Sequence, residues 1–432
     1  MIGSRALAFV AVCVAAFGLS ACGSSSSTSS NSTESTTAAA GGAGESAPAT
    51  AGKEATGKPL KILVTSFVNA PLGNVPEIWA GAEVAAENIN KEGGINGRPI
   101  EVVPCNGKND PKAEVACARK GVSEGVIAGD GNVFQTNPEG SYEVLNRAGI
   151  ADIAGFGGSP ALFTLPNEYP IGFIAATANG CLAPQTLESA GSGTKIGVVY
   201  AQNPFGEGVY SLMEPLLKSP QMGSKWAGSI GVPDSEQDFS SVVQELDEKG
   251  ANMVQLDVTP TPAAQIVTTA ASSGKKWSFC ADGGLIGPQA LEELGSLTES
   301  FFTSSVVPPI SSGEKYPLVK QFVEEMTAAK EAGKEDANIE LNPINPMTAW
   351  MGMQIIKQVA DGIKGEVTAK SFWDAMKTAK VNLGYAKFDF AKPLGTAPFE
   401  RVFQPTGFIT KWNNSTKELD EVAQVNLLEP LG

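Results

Sequence analysis

The feature that most constrains this chain is an alternation that runs along it twice: a short apolar, β-branched run, a stretch with helical periodicity, then another apolar run. Lys61–Ser66 (KILVTS) reads as a strand. Trp79–Lys91 follows, with Trp79, Ala82, Ala86 and Ile89 on one helical face, and Gly93-Gly94 stops it. Ile100–Val103 is the next strand. Asp110-Pro111 supplies a cap and a first helical position for a helix to about Ser123. Val126–Ala128 and Ile150–Ala154 are further strands. A second series opens near residue 176. Lys195–Tyr200, Trp226–Val232, Met253–Val258 and Trp277–Ala281 read as strands. Gly206–Leu217, Asp238–Lys249 and Pro262–Ser273 read as the helices between them. Tyr316–Glu331, Met347–Gly362 and Ala369–Ala379 are helical, and Tyr385–Phe390 and Gly407–Trp412 close the chain as strands. Strands separated by helices pair in parallel, with helices on both sheet faces. The expectation is an α/β protein of two doubly wound parallel-sheet lobes.

Open parallel sheets bind ligands beyond the carboxyl ends of their strands. Two lobes facing each other place those ends around one cleft. The loops predicted to line it are Ser66–Pro76, which carries Asn74, then Gly129–Thr136, Gly155–Pro160, Gln202–Gly206, Thr259–Thr261 and Asp282–Gly287. Phe134, Phe156 and Phe205 read as pocket walls or as core. Gly157-Gly158 reads as a close backbone approach to an anion or as a tight turn. Asp282, in Asp-Gly-Gly, reads as a partner for a ligand cation or as the cap of its own turn. Asp257 ends a strand at the cleft rim.

The first 22 residues are an address. Arg5 precedes an apolar run from Ala6 to Leu19, too short for a comfortable membrane span and laid out as a secretory signal. It ends in Leu19-Ser20-Ala21-Cys22, which resembles the bacterial lipobox and makes Cys22 the expected lipidation site. Residues 23–59, rich in Ser, Thr, Ala and Gly, have little to bury and read as a disordered tether. Of six cysteines, Cys13 leaves with the signal and Cys22 takes the lipid. The remaining four suit two disulfides in an oxidising compartment, and three pairings are possible. Cys105 ends a strand and Cys117 lies on the next helix, so these are paired; Cys181 with Cys280 follows by elimination.

A net charge of -15 argues against a nucleic-acid partner. Histidine is absent, so a Ser-His-Asp triad, a Cys-His pair and an HExxH zinc site are impossible. No Walker A loop, GxSxG elbow or CxxC motif occurs. No cofactor, no metal and no catalytic residue are expected. A carboxylate-only hydrolase needs two acids at fixed separation across a cleft, and the strand ends offer only Asp257 and Asp282.

Several segments, in order, resemble one family. Residues 79–103 (WAGAEVAAENINKEGGINGRPIEVV), 109–122 (NDPKAEVACARKGV), 203–209 (NPFGEGV), 238–254 (DFSSVVQELDEKGANMV) and the helix around Pro346–Gly362 are similar to successive parts of the leucine/isoleucine/valine-binding group of type I periplasmic binding proteins. The resemblance covers nearly all of residues 60–432 and implies a receptor that closes on a small molecule by hinge motion and serves the permease of an ABC importer. It implies three crossovers between lobes, with residues 60–175 and 304–392 in lobe 1 and 176–303 and 393–432 in lobe 2. A monomer is expected, exported and lipid-anchored at the outer face of the cytoplasmic membrane. A ligand sensor of the same fold is the alternative. The family's ligand contacts map onto Asn132-Val133-Phe134 in one loop and Phe156-Gly157-Gly158-Ser159 in the next. The usual hydroxyl position of the second loop falls on Gly158. Aromatic positions of lobe 2 fall on Phe205 and Thr259, and the acid that meets a ligand ammonium falls on Asp282. With those hydroxyl and aromatic positions altered, an amino acid, a short amide or an aromatic acid each remains a candidate ligand.

Overall fold

A computed structural model describes residues 54–70, 73–157, 159–171, 180–220, 222–395, 397 and 399–428. The leader, Cys22 and Gly158 lie outside the described residues. The first sheet is wholly parallel, in the order β2-β1-β3-β4-β5, from β1 (Leu60–Ser66), β2 (Ile100–Asn106), β3 (Ala128–Asp130), β4 (Ala151–Ile153) and β5 (Glu168–Tyr169). Between them run α1 (Glu77–Lys91), α2 (Pro111–Glu124), α3 (Pro138–Arg147) and α4 (Ala161–Thr164). Local chemistry sets these bounds. The Asp110 side chain accepts the N–H groups of Lys112 and Ala113, Pro111 takes the first position of α2, and Gly125 ends it at φ 70°. Ala55 and Gly57, inside the stretch read as tether, donate their N–H groups to the carbonyls of Asn90 and Gly97.

The second lobe comprises α5 (Pro184–Ala190), β6 (Ile196–Ala201), α6 (Pro204–Leu217), β7 (Trp226–Val232), α7 (Ser240–Glu248), β8 (Met253–Asp257), α8 (Pro260–Ser272), β9 (Ser278–Asp282), α9 (Pro288–Leu294) and β10 (Phe301–Ser305). The chain then returns to the first sheet with α10 (Pro317–Glu331), α11 (Ile344–Asp361) and α12 (Ala369–Met376) and a small hairpin, β11 (Lys380–Asn382) and β12 (Lys387–Asp389). It ends on the second sheet as β13 (Thr406–Asn413) and β14 (Glu418–Asn426). The second sheet is ordered β14-β13-β10-β9-β8-β6-β7. Its last two strands run antiparallel, so this lobe is a parallel sheet with an antiparallel edge. The chain therefore passes between the sheets three times, after β5, after β10 and before β13.

Helix α11 packs along α1, and a side chain at Gly81 would stand 2.2 Å from the Pro346 carbonyl oxygen. Only glycine permits that approach. Both expected disulfides are present. Cys105–Cys117 ties the end of β2 to α2, and Cys181–Cys280 ties the start of lobe 2 to the middle of β9. Closing a loop with a sequence separation of 12 removes about 3 kcal/mol of unfolded-state entropy in the chain-entropy account. Among the described residues no helix is long and apolar enough to cross a membrane.

Candidate functional site

The carboxyl ends of the lobe 1 strands carry a stitched pair of loops. Asn132 is fully buried; its Oδ1 accepts the Thr65 N–H at 2.8 Å and its Nδ2 donates to Asp152 Oδ1 at 2.5 Å. Val133 donates its N–H to the Thr65 carbonyl, and Phe156 donates to the Asn132 carbonyl. The Tyr142 hydroxyl, edge-on to Phe134, donates to the carbonyls of Asn132 and Phe156. Phe134 and Phe156 are buried. Gly157 has φ +150°, a conformation L side chains avoid. Ser159 donates its hydroxyl to Glu139 and accepts the Ala161 N–H. Asn74 is exposed, and its side-chain oxygen accepts the Asn69 N–H.

One buried acid organises the start of α3. Glu114 is 1% exposed, and its two carboxylate oxygens accept the N–H groups of Gln135, Thr136 and Asn137 at 2.7–3.0 Å. These N–H groups belong to the loop that runs into Asn137, the N-cap of α3, whose own side chain accepts the Gly140 N–H. The sequence reading passed over Glu114 because an acid in the first turn of an amphipathic helix looks like ordinary solvated surface.

Lobe 2 presents a different surface. Phe205 lies half-buried in the first turn of α6, behind Asn203, whose side chain accepts the Gly206 N–H. Thr259 is exposed at the N-cap of α8 and makes no side-chain cap bond. Asp257 ends β8, buried, with both oxygens accepting from the Gln255 Nε2 at 3.0 and 3.2 Å. Burial raises its carboxyl to about 7. Asp282 ends β9, 3% exposed; its Oδ1 accepts the N–H groups of Gly284 and Leu285. The turn-capping role is thus fulfilled. Burial raises the Asp282 carboxyl to about 8 against the pull of those two N–H groups, and the Asp257 charge adds to the rise. Leu256 registers with Ala281, and Ser304 with Asp282, so Asp257 and Asp282 end adjacent strands on one sheet face, with Ser304, one residue before the end of β10, beside them.

The lobes meet at this point. Asn342, just before α11, donates its Nδ2 to the carbonyls of Gly283 and Gly284 at 3.2 and 2.9 Å, and Asn345 Nδ2 reaches the Gly284 carbonyl at 3.3 Å. Partly buried Glu77, in the first turn of α1, is raised to about 7 by burial, which outweighs bonds from its own backbone and from Asn345. A cavity of about 590 Å³ borders this contact, lined by Pro343 and Ile344 between the two asparagines and by Pro308, Ile310, Leu341 and Trp412 among others, and shares none of the predicted ligand residues. Among the described residues no group of three or more acids or cysteines could hold a metal.

Residues 59–414 match the model of a family described as periplasmic binding protein. The chain belongs to that family. This periplasmic binding protein is 27% identical over 253 residues to Leu/Ile/Val-binding protein homolog 1 of Brucella melitensis, covering 57% of this chain and 66% of that protein. It therefore spans just under two thirds of that relative's length. It is 22% identical over 279 residues to the Leu/Ile/Val-binding protein of Escherichia coli, covering 64% and 74%. Its fold matches that of a fatty acid ABC transporter substrate-binding protein from Thermomonospora curvata, with a TM-score of 0.69 at 19% identity over 87% of this chain and 94% of that one. A solute-binding protein from R. palustris in complex with 4-hydroxybenzoate gives 0.67 at 14% identity over 85% and 97%. These relatives are named as binding proteins, not as enzymes.

Proposed function

We propose that this periplasmic binding protein is an exported solute receptor that closes its two lobes on a small organic molecule and delivers it to the permease of an ABC importer. The observation that carries the reading is the interlobe contact of a lobe 2 strand-end loop, Gly283-Gly284, with Asn342 and Asn345 at the start of α11. The names of relatives, for Leu/Ile/Val, fatty acid and 4-hydroxybenzoate, support small organic solutes as the cargo. In this reading Asn74, Val133, Phe156 and Gly157 line the lobe 1 side, with Asn132, Phe134 and Ser159 setting its shape. Phe205, Thr259 and Asp282 line the lobe 2 side. The solute released when the purified protein is unfolded is expected, on re-addition to solute-free protein, to reduce the radius of gyration in small-angle scattering. It should also raise the unfolding midpoint by mass action. Tight binding with no compaction would refute hinge closure.

The same reading places the protein on the membrane through a lipid on Cys22, with residues 23 onward as the tether. Cys22→Ala is expected to abolish metabolic labelling by a fatty acid and to release the protein or leave it unprocessed. A labelled, membrane-bound mutant would remove the anchor from this account.

A further inference from the structure

The cavity beside the interlobe contact, at about 590 Å³, is within the size range of small-molecule sites, roughly 300–1,000 Å³. Its walls come from both lobes and from the chain that joins them. Leu341 and Ile344, at the approach to α11, belong to lobe 1. Pro288 on α9, Trp412 on β13 and Leu419 on β14 belong to lobe 2. Residues 307–310, which follow β10, belong to the crossover.

The wall asks for few hydrogen bonds. Pro288, Pro308, Pro309 and Pro343 bring no N–H. The Ser305 hydroxyl oxygen accepts the Val307 N–H, and the Thr410 hydroxyl is paired with that of Thr303. The Trp412 indole N–H goes to Asn414 Oδ1 at 3.1 Å, which leaves its ring as apolar wall. Leu341 is 51% exposed, so this part of the wall still has apolar surface to bury. The charged lining residues, Glu292, Glu340, Lys417 and Glu418, are exposed. Lys417 is already paired with Glu292 at 3.2 Å, and Glu340 with Lys330 at 3.0 Å. An incoming anion therefore finds no unpaired cation in the lining and meets the Glu418 carboxylate instead. A charge of either sign would lose its water against apolar walls. A rigid ring system loses little freedom on binding and packs well on Trp412 and the prolines.

We propose that this cavity is a second ligand site, separate from the strand-end loops, for an uncharged, ring-bearing apolar molecule. Its occupant touches both lobes and the crossover, so it favours the lobe arrangement that forms the cavity.

Fluorescence titration of the full chain tests this with N-phenyl-1-naphthylamine, which is uncharged and brightens in apolar surroundings. Its 8-sulfonate carries the same rings and a negative charge, and proflavine is a cationic ring system. The uncharged probe is expected to bind roughly tenfold or more tighter than either charged one. Leu341→Asp puts a carboxylate into the wall at an exposed position, so the variant keeps the fold. It should weaken the uncharged probe by roughly tenfold or more. Hydrogen exchange on the wild-type chain places the probe without any substitution. Peptides covering residues 286–292, 339–345 and 414–420 should gain protection together, and those covering 129–136 and 155–160 should not. No binding, tighter binding of a charged probe, indifference to Leu341→Asp, or protection confined to one lobe each overturns the proposal. The receptor reading is untouched by all four, since the probe needs no solute.

Discussion

Replacing Glu114 by alanine is expected to lower the thermal unfolding midpoint by roughly 6 °C, and formate at tens of millimolar should restore much of the loss. Glu114 makes four hydrogen bonds to three consecutive N–H groups from within the lobe 1 interior. Removing an ionised acceptor leaves donors without a partner, at about 1–3 kcal/mol for each one left buried. Gln135, Thr136 and Asn137 are half-buried, so water recovers part of this and the net loss is about 3 kcal/mol. For a body of this size each kcal/mol moves the midpoint by about 2 °C. Formate is the smallest carboxylate that fits the vacated space. Glu114→Gln keeps one acceptor without the charge and should fall between the two. Scanning calorimetry of the three proteins with and without formate reads the result. An alanine variant as stable as wild type, or formate stabilising both equally, would show that α3 does not depend on this internal anion.

The fold was legible where local chemistry and periodicity agreed. Asp110-Pro111 announces α2, and both the cap and the proline sit where that pattern places them. Helix α3 escaped the reading because Pro138 and Gly140 disguise a helix whose buried face is Ser141, Tyr142 and Leu145. Strand β10, FFTSS, escaped because it is buried on both faces and half polar, so it shows no alternation. Of its hydroxyls, that of Thr303 pairs with Thr410 on β13. Of the candidate site, Asp282 was visible as an acid after a strand. What the sequence hides is that Asp257 and Asp282 become neighbours, because β8 and β9 are joined by a whole helix. It equally hides that Asn342 comes to Gly283, 59 residues away. Such pairings are properties of sheet order and lobe contact, and no local spacing encodes them.

Acidification from pH 8 to pH 5.5 is expected to stabilise the ligand-free protein, against the usual behaviour of carboxylate-rich chains. In the folded chain burial holds Asp282 at about 8 and Asp257 and Glu77 at about 7. Asp130 and the cross-strand pair Asp152 and Glu168 are raised as well, by burial first; the Asp152 charge pushes Glu168 higher still. Unfolded, these acids return to ordinary values near 3.8 and 4.5. Between those values and pH 8 the folded state therefore holds more protons than the unfolded one, and stability falls as pH rises. The contribution is fully present below about pH 4 and is lost through pH 7–8. A single carboxyl with a folded value near 7 gives about 2 kcal/mol between pH 8 and 5.5. The combined gain should be at least that. Ion-paired acids with lowered values, such as Asp374 at about 2, titrate well below this window and do not offset it. Urea unfolding at constant ionic strength measures the slope. Asp152→Asn localises it, because the amide keeps an acceptor for Asn132 and offers Glu168 an N–H without a charge. That variant should gain stability at pH 8, gain less at pH 5.5 and show a flatter slope. Stability that is level or falling on acidification, with Asp152→Asn no better than wild type at pH 8, would mean that these buried acids stay ionised and that a cation within the fold compensates them.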